Sequence, residues 1–169
     1  YNGSLGYLEI YTGSAWYPAS ASPGIPTSVV ATDVGTGTAY ANAQASISFT
    51  SATSGGFASS YTIVATPVGG GSTVSATGTS SPTTVSGLVS NTAYTFTVQA
   101  NNGFGSSSNS IASSSATVTT VPQSPTIGTA STSSSVTDIT VTWTQNATGG
   151  KSITGQSINA YSGATLVST

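Results

Sequence analysis

Between Leu88 and Gly105 the chain reads LVSNTAYTFTVQANNGFG, a turn, an alternating strand and a loop in one run. Tyr94, Phe96, Val98 and Ala100 fall on one face of an extended segment, and Thr95, Thr97 and Gln99 fall on the other. This two-residue period belongs to a strand buried on one side. Leu88 and Tyr94 flank a tight corner, so the strand is entered by a sharp turn.

The same alternation recurs through residues 23 to 121 and predicts strands near 27–34, 43–50, 60–66, 72–78, 82–87, 93–101 and 110–120. Ile47, Phe49, Tyr61, Ile63, Val85, Leu88, Tyr94, Phe96 and Val98 are the expected core, each facing an opposite sheet. Serine and threonine abound, a composition that elsewhere marks disordered or mucin-like stalks. Here apolar residues at every second position supply a buried face, and threonine on the outer face favours strands without needing charge. Pro and Gly punctuation divides the chain into a short aromatic-rich hairpin at 1–22, a complete sandwich at 23–121 and a partial second one at 122–169. Pro23 and Pro26 open the second part and Pro122 and Pro125 the third, with the same spacing. SISFTSATSGG at 46–56 corresponds to ITVTWTQNATGG at 139–150 and places Phe49 opposite Trp143, 94 residues later. The third part holds about half a domain, four strands, so the chain is expected to be a piece of something longer.

Composition removes most chemistry. The chain has one cation, Lys151, three scattered carboxylates, Glu9, Asp33 and Asp138, and neither His nor Cys. Acid–base catalysis and nucleophilic triads both need a tunable base beside the reacting group, so no enzyme is expected. Lys151 sits in a Gly-Gly-Lys-Ser loop, the setting of a solvated lysine. A Ca²⁺ site clusters its carboxylates, so no metal and no cofactor are expected. A net charge of −2 lacks the basic footprint of nucleic-acid binding, and no apolar run nears the ~20 residues that span a bilayer.

The corner and strand at Leu88–Gly105 resemble the tyrosine corner of fibronectin type III domains, L-x-P-x-T-x-Y followed by x-V-x-A-x-N-x-x-G. Leu88, Thr92 and Tyr94 are in place, and Ser90 stands where the family usually has Pro. The resemblance implies an all-β, immunoglobulin-like β-sandwich in which the Tyr94 hydroxyl closes the turn on backbone upstream. Trp is usual at the position of Phe49, and the repeat restores it at Trp143. GGFASSYTI and GGKSITGQSI resemble bacterial and phage versions of this domain more than animal ones.

Residues 1–18, YNGSLGYLEIYTGSAWYP, concentrate aromatics in very little chain. Leu8 and Ile10 lead into one strand, Tyr11 to Trp16 cross a Gly-containing turn, and a second strand follows. A lone hairpin is marginal in water, so Tyr7, Leu8, Tyr11, Trp16 and Tyr17 are expected to pack on something else, either as a hydrophobic plug against the first sandwich or as assembly contacts between copies. The motif resembles short segments of tailed-bacteriophage fibres, whiskers and other virion appendages, through Tyr1-Asn2, Leu8-Glu9, Tyr11, Gly13 and Trp16. The resemblance implies a homo-oligomer, a trimer favoured, beside other virion proteins at a virion surface. Spacer or adhesion modules of a secreted or cell-surface bacterial protein are the alternative. Phe57 and Phe104 are expected at one pole of the sandwich, either packed between modules or forming a weak platform for host-surface carbohydrate. Asn2-Gly3-Ser4 and Asn146-Ala147-Thr148 are glycosylation sequons by pattern and are read as chance matches.

Overall fold

The computed structural model describes residues 9–35, 37–132 and 138–168. It divides into two compact units, 1–121 and 122–169.

In the first unit a short hairpin, β1 (Glu9–Tyr11) and β2 (Trp16–Pro18), precedes β3 (Thr27–Asp33), β4 (Ala43–Thr50), β5 (Ser60–Pro67), β6 (Val74–Gly78), β7 (Thr83–Leu88), β8 (Thr92–Asn102), β9 (Gly105–Ser106) and β10 (Ala116–Val118). One sheet runs β3-β4-β7 and the other β10-β8-β5-β6, with β9 paired to β8; every pairing is antiparallel. β5 and β8 form the longest ladder, from Ser60↔Asn101 to Pro67↔Tyr94. Alternation decides which residues meet between the sheets: Ala43, Ala45, Ile47 and Phe49 from β4, Tyr61, Ile63 and Ala65 from β5, Tyr94, Phe96, Val98 and Ala100 from β8. Val85 and Leu88 from β7 and Val118 from β10 complete the core. Phe49 and Tyr61 touch across it with ring centroids 4.6 Å apart, the tilted contact that aromatic quadrupoles favour.

The corner before β8 closes as the resemblance implies. The Val89 N–H donates to the Tyr94 hydroxyl oxygen at 3.1 Å, while Leu88 is fully buried beneath it. Asn91 takes the positive φ of 57° that the turn demands, a conformation asparagine tolerates. Ser90, in place of the family's proline, shares a 2.8 Å hydrogen bond with the Thr120 hydroxyl and so ties the corner to the end of the domain. Tyr94→Phe is expected to cost about 1 kcal/mol by leaving the Val89 amide without this acceptor. Urea unfolding would register it as a lower midpoint at an unchanged slope.

The last predicted strand, 110–120, is regular only at β10. Upstream, Ser107, Ser110 and Ser113 run beside β8 at three-residue spacing, while their partners Ala100, Val98 and Phe96 are two apart. A 3:2 mismatch cannot sustain a backbone ladder, and serine side chains complete it. Each serine N–H donates to its partner's carbonyl, at 2.8, 2.9 and 2.9 Å in that order. In return Ala100, Val98 and Phe96 donate their N–H groups to the Oγ atoms of Ser107, Ser110 and Ser113, at 3.0, 2.9 and 3.1 Å. Asp33 closes the same end of the unit: its Oδ1 accepts from the Gly35 and Thr119 amides and its Oδ2 from the Thr119 hydroxyl. One of the chain's three carboxylates is therefore structural.

The second unit contains β11 (Thr126–Thr132) paired with β12 (Ile139–Thr144), and β13 (Ala160–Ser162) paired with β14 (Thr165–Ser168). Ile139, Val141 and Trp143 lie on β12 at the positions aligned with Ala45, Ile47 and Phe49 of β4, but Ile139 and Trp143 are exposed where Ala45 and Phe49 are buried. Asn146 commits its Nδ2 to the Ser124 carbonyl at 2.7 Å and the Thr126 hydroxyl at 3.0 Å. Glycan attachment at this amide would compete with both bonds.

Candidate functional site at the hairpin pole

The hairpin has two different faces because its residues alternate. Tyr11 pairs with Trp16 and Ile10 with Tyr17 in the β1–β2 register, so Tyr11 and Trp16 share one face and Tyr17 lies on the other. The Tyr11 and Trp16 ring centroids are 5.0 Å apart, and the two residues are 54% and 44% exposed. The turn between the strands is closed by the Thr12 N–H on the Ala15 carbonyl at 3.1 Å, and the Tyr11 hydroxyl donates to the Gly13 carbonyl at 3.0 Å. Tyr17 is half-buried and meets Phe57 edge to face, with centroids 5.7 Å apart at 75°. Tyr7 and Leu8, the other expected assembly contacts, lie outside the described residues, as does the Asn2 sequon. Glu9 is buried on the Tyr11 face, its Oε2 without a partner among the described residues.

A backbone strap binds the hairpin to the sandwich. The Gly24 N–H donates to the Ser54 carbonyl at 3.1 Å and the Gly56 N–H to the Ser22 carbonyl at 2.9 Å, on either side of a Pro23↔Gly55 bridge. The chains approach so closely that a side chain at Gly56 would overlap the Ala21 carbonyl oxygen, and one at Gly24 would lie 2.7 Å from the Ala52 Cβ. Asn102 locks the arrangement from β8: its Nδ2 donates to the Ala21 carbonyl at 2.8 Å and the Phe57 carbonyl at 3.1 Å. Its Oδ1 accepts the Phe104 N–H at 2.9 Å, which sets the β8–β9 turn.

Phe57 and Phe104 thus belong to segments joined through one asparagine. Phe57 is 49% exposed and packs on Tyr17; Phe104 is 64% exposed and has no aromatic partner among the described residues. Between hairpin and sandwich lies a cleft of about 250 Å³. Thr12 and Ser14 border it from the hairpin turn, Tyr17 and Phe57 supply rings, and Ser51 and Tyr61 share a 2.7 Å hydroxyl bond at its wall. None of its lining residues is charged. The sequence identified the rings but missed the strap, because Gly55-Gly56 reads as a turn until Ala21 is known to lie against it. Among the described residues no three His, Cys, Asp or Glu gather as a metal site would require, and no helix is long and apolar enough to cross a membrane.

Residues 25–116 match the family model described as Fibronectin type III domain. No curated protein sequence matches the chain. Among solved structures, domains A168-A170 from titin are 25% identical with a TM-score of 0.50, covering 57% of this chain and 32% of that one. Titin kinase and its flanking domains are 22% identical, with a TM-score of 0.48 and coverage of 59% and 18%. The FN5 domain of Drosophila Lar is 21% identical, with a TM-score of 0.44 and coverage of 57% and 96%. The chain thus spans less than a third of each titin structure.

Proposed function

The chain belongs to the fibronectin type III domain family, and from that premise we propose that it is a non-enzymatic structural protein of a tailed-bacteriophage virion, a projecting fibre, whisker or decoration. The observation that carries this reading is the Tyr11–Trp16 pair. Two large rings meet at a tilt of 39° on the face of the hairpin opposite Tyr17 and stay about half exposed. An aromatic buries about 150–250 Å² when fully covered, and about half of that remains exposed on each ring for a short hairpin to bury against its own copies. A homo-oligomer, a trimer favoured, held at residues 1–18 beside other virion proteins is the arrangement that follows.

The resemblance of residues 1–18 to virion-appendage motifs, directly ahead of a fibronectin type III module, supports the phage assignment. In this role the sandwich is a neutral spacer at the virion surface, and host-surface carbohydrate is its weak partner. A second reading, spacer or adhesion modules of a secreted or cell-surface bacterial protein, is favoured by the repeat of the P-x-x-P opening and the Phe49/Trp143 pattern in a second unit. Antibodies raised against residues 23–121 separate the two in the source material. Labelling of tailed particles is the expected result; labelling confined to a cell envelope overturns the virion reading and leaves the spacer one.

A further inference from the structure

We propose that the cleft between the β1–β2 hairpin and the sandwich is a binding site for one ring of a neutral saccharide. It gives a location to the carbohydrate adhesion proposed above and rests on that part of the reading. The lining selects the ligand class by elimination. A charged ligand would enter a cleft with no countercharge and lose its hydration uncompensated. A wholly apolar ligand would strip water from the Ser14 hydroxyl and from the one donor that the Ser51–Tyr61 bond leaves over, and would return no hydrogen bond to either.

A pyranose satisfies both halves of the wall. Its hydroxyls donate and accept, as do those of serine, threonine and tyrosine. The Ser51–Tyr61 bond uses one of that pair's two donors and leaves the other, with free lone pairs, for a ligand. Its axial C–H edges carry partial positive charge and suit the negative face of an aromatic ring. Phe57, 49% exposed and in T-shaped contact with Tyr17, offers ring surface among the residues that line the cleft. The volume of about 250 Å³ falls below the ~300–1,000 Å³ of drug-sized pockets, room for a single ring with the rest of a chain in solvent. The strap through Gly24, Gly56 and Asn102 holds the two walls in place before any ligand arrives, so little ordering entropy opposes binding.

The test is a ligand-observed NMR titration of the full chain with maltotetraose, cellotetraose, mannotetraose and a galactotetraose, with oligogalacturonate as the anionic control. At least one neutral probe is expected to bind with a dissociation constant on the order of 1 mM, and the anionic control not to bind. Tyr17→Ser is expected to weaken binding about tenfold or more, while Phe104→Ala leaves it unchanged. Since Tyr17→Ser can loosen the hairpin, the double variant Thr12→Val, Ser51→Ala provides a second route: it keeps both rings, removes two hydroxyls and is expected to weaken binding as well. Binding that survives both cleft variants and falls with Phe104→Ala overturns the cleft and leaves carbohydrate adhesion standing. Absence of binding to every neutral probe overturns the cleft and the adhesion together, with the assembly reading untouched.

Discussion

Replacing Ser107, Ser110 and Ser113 together by alanine is expected to bring the first unit to the edge of unfolding at room temperature. Each serine is buried, and each Oγ is the acceptor for the amide of Ala100, Val98 or Phe96, residues at the centre of the core. A buried N–H left without an acceptor costs about 1–3 kcal/mol, so three lose about 3–9 kcal/mol. A domain has about 5–15 kcal/mol in total. Ser110→Ala alone is expected to show roughly a third of the effect, and Ser115→Ala, exposed on the same segment, none beyond a few tenths of a kcal/mol. Circular dichroism during chemical unfolding measures all three. A triple variant with the parent's midpoint would show that water replaces the hydroxyls freely, and the side-chain ladder would then have no energetic role.

Gly56→Ala is expected to detach the hairpin while sparing the sandwich. The added methyl would occupy the space of the Ala21 carbonyl oxygen, an overlap of backbone that no rotamer relieves. The Gly56–Ser22 and Asn102–Ala21 hydrogen bonds then break, and Tyr17 loses its seat on Phe57. One backbone and one side-chain hydrogen bond at about 1 kcal/mol each and an aromatic contact of about 0.5–1.5 kcal/mol are at stake. Limited proteolysis between Pro18 and Ser22 should accelerate on the order of tenfold or more, the rate following the population of the open form. Thermal unfolding of the core should shift by only a few degrees. Cleavage at the parent's rate would mean that the strap does not hold the hairpin.

Much of this architecture was legible because alternation is a direct record of burial. Strands β3 to β8 lie within two residues of where the pattern placed them, and every large core residue expected there is buried. The resemblance of Leu88, Thr92 and Tyr94 to a tyrosine corner implied the hydroxyl bond to backbone, and the bond is present. Ala43, Ala45 and Ala65 were not singled out as core, since alanine is at home on either side of a sheet. The serine ladder was hidden for another reason: a period of three matches neither strand nor helix and disappears in a chain this rich in serine. At the pole, Phe57 and Tyr17 were visible as aromatics, but their contact depends on Gly24 and Gly56 allowing two backbones together. Close approach leaves no mark in a sequence except a glycine, which also marks an ordinary turn.

The most direct test of a hairpin that assembles copies of this module is the native mass of the 169-residue chain, measured by light scattering across a concentration series. The expected result is a defined homo-oligomer, three copies favoured, that falls to single chains when Tyr11 and Trp16 are both replaced by serine while unit 1 keeps its unfolding midpoint. A parent chain that stays single at every concentration, or an oligomer indifferent to those two rings, would contradict the account.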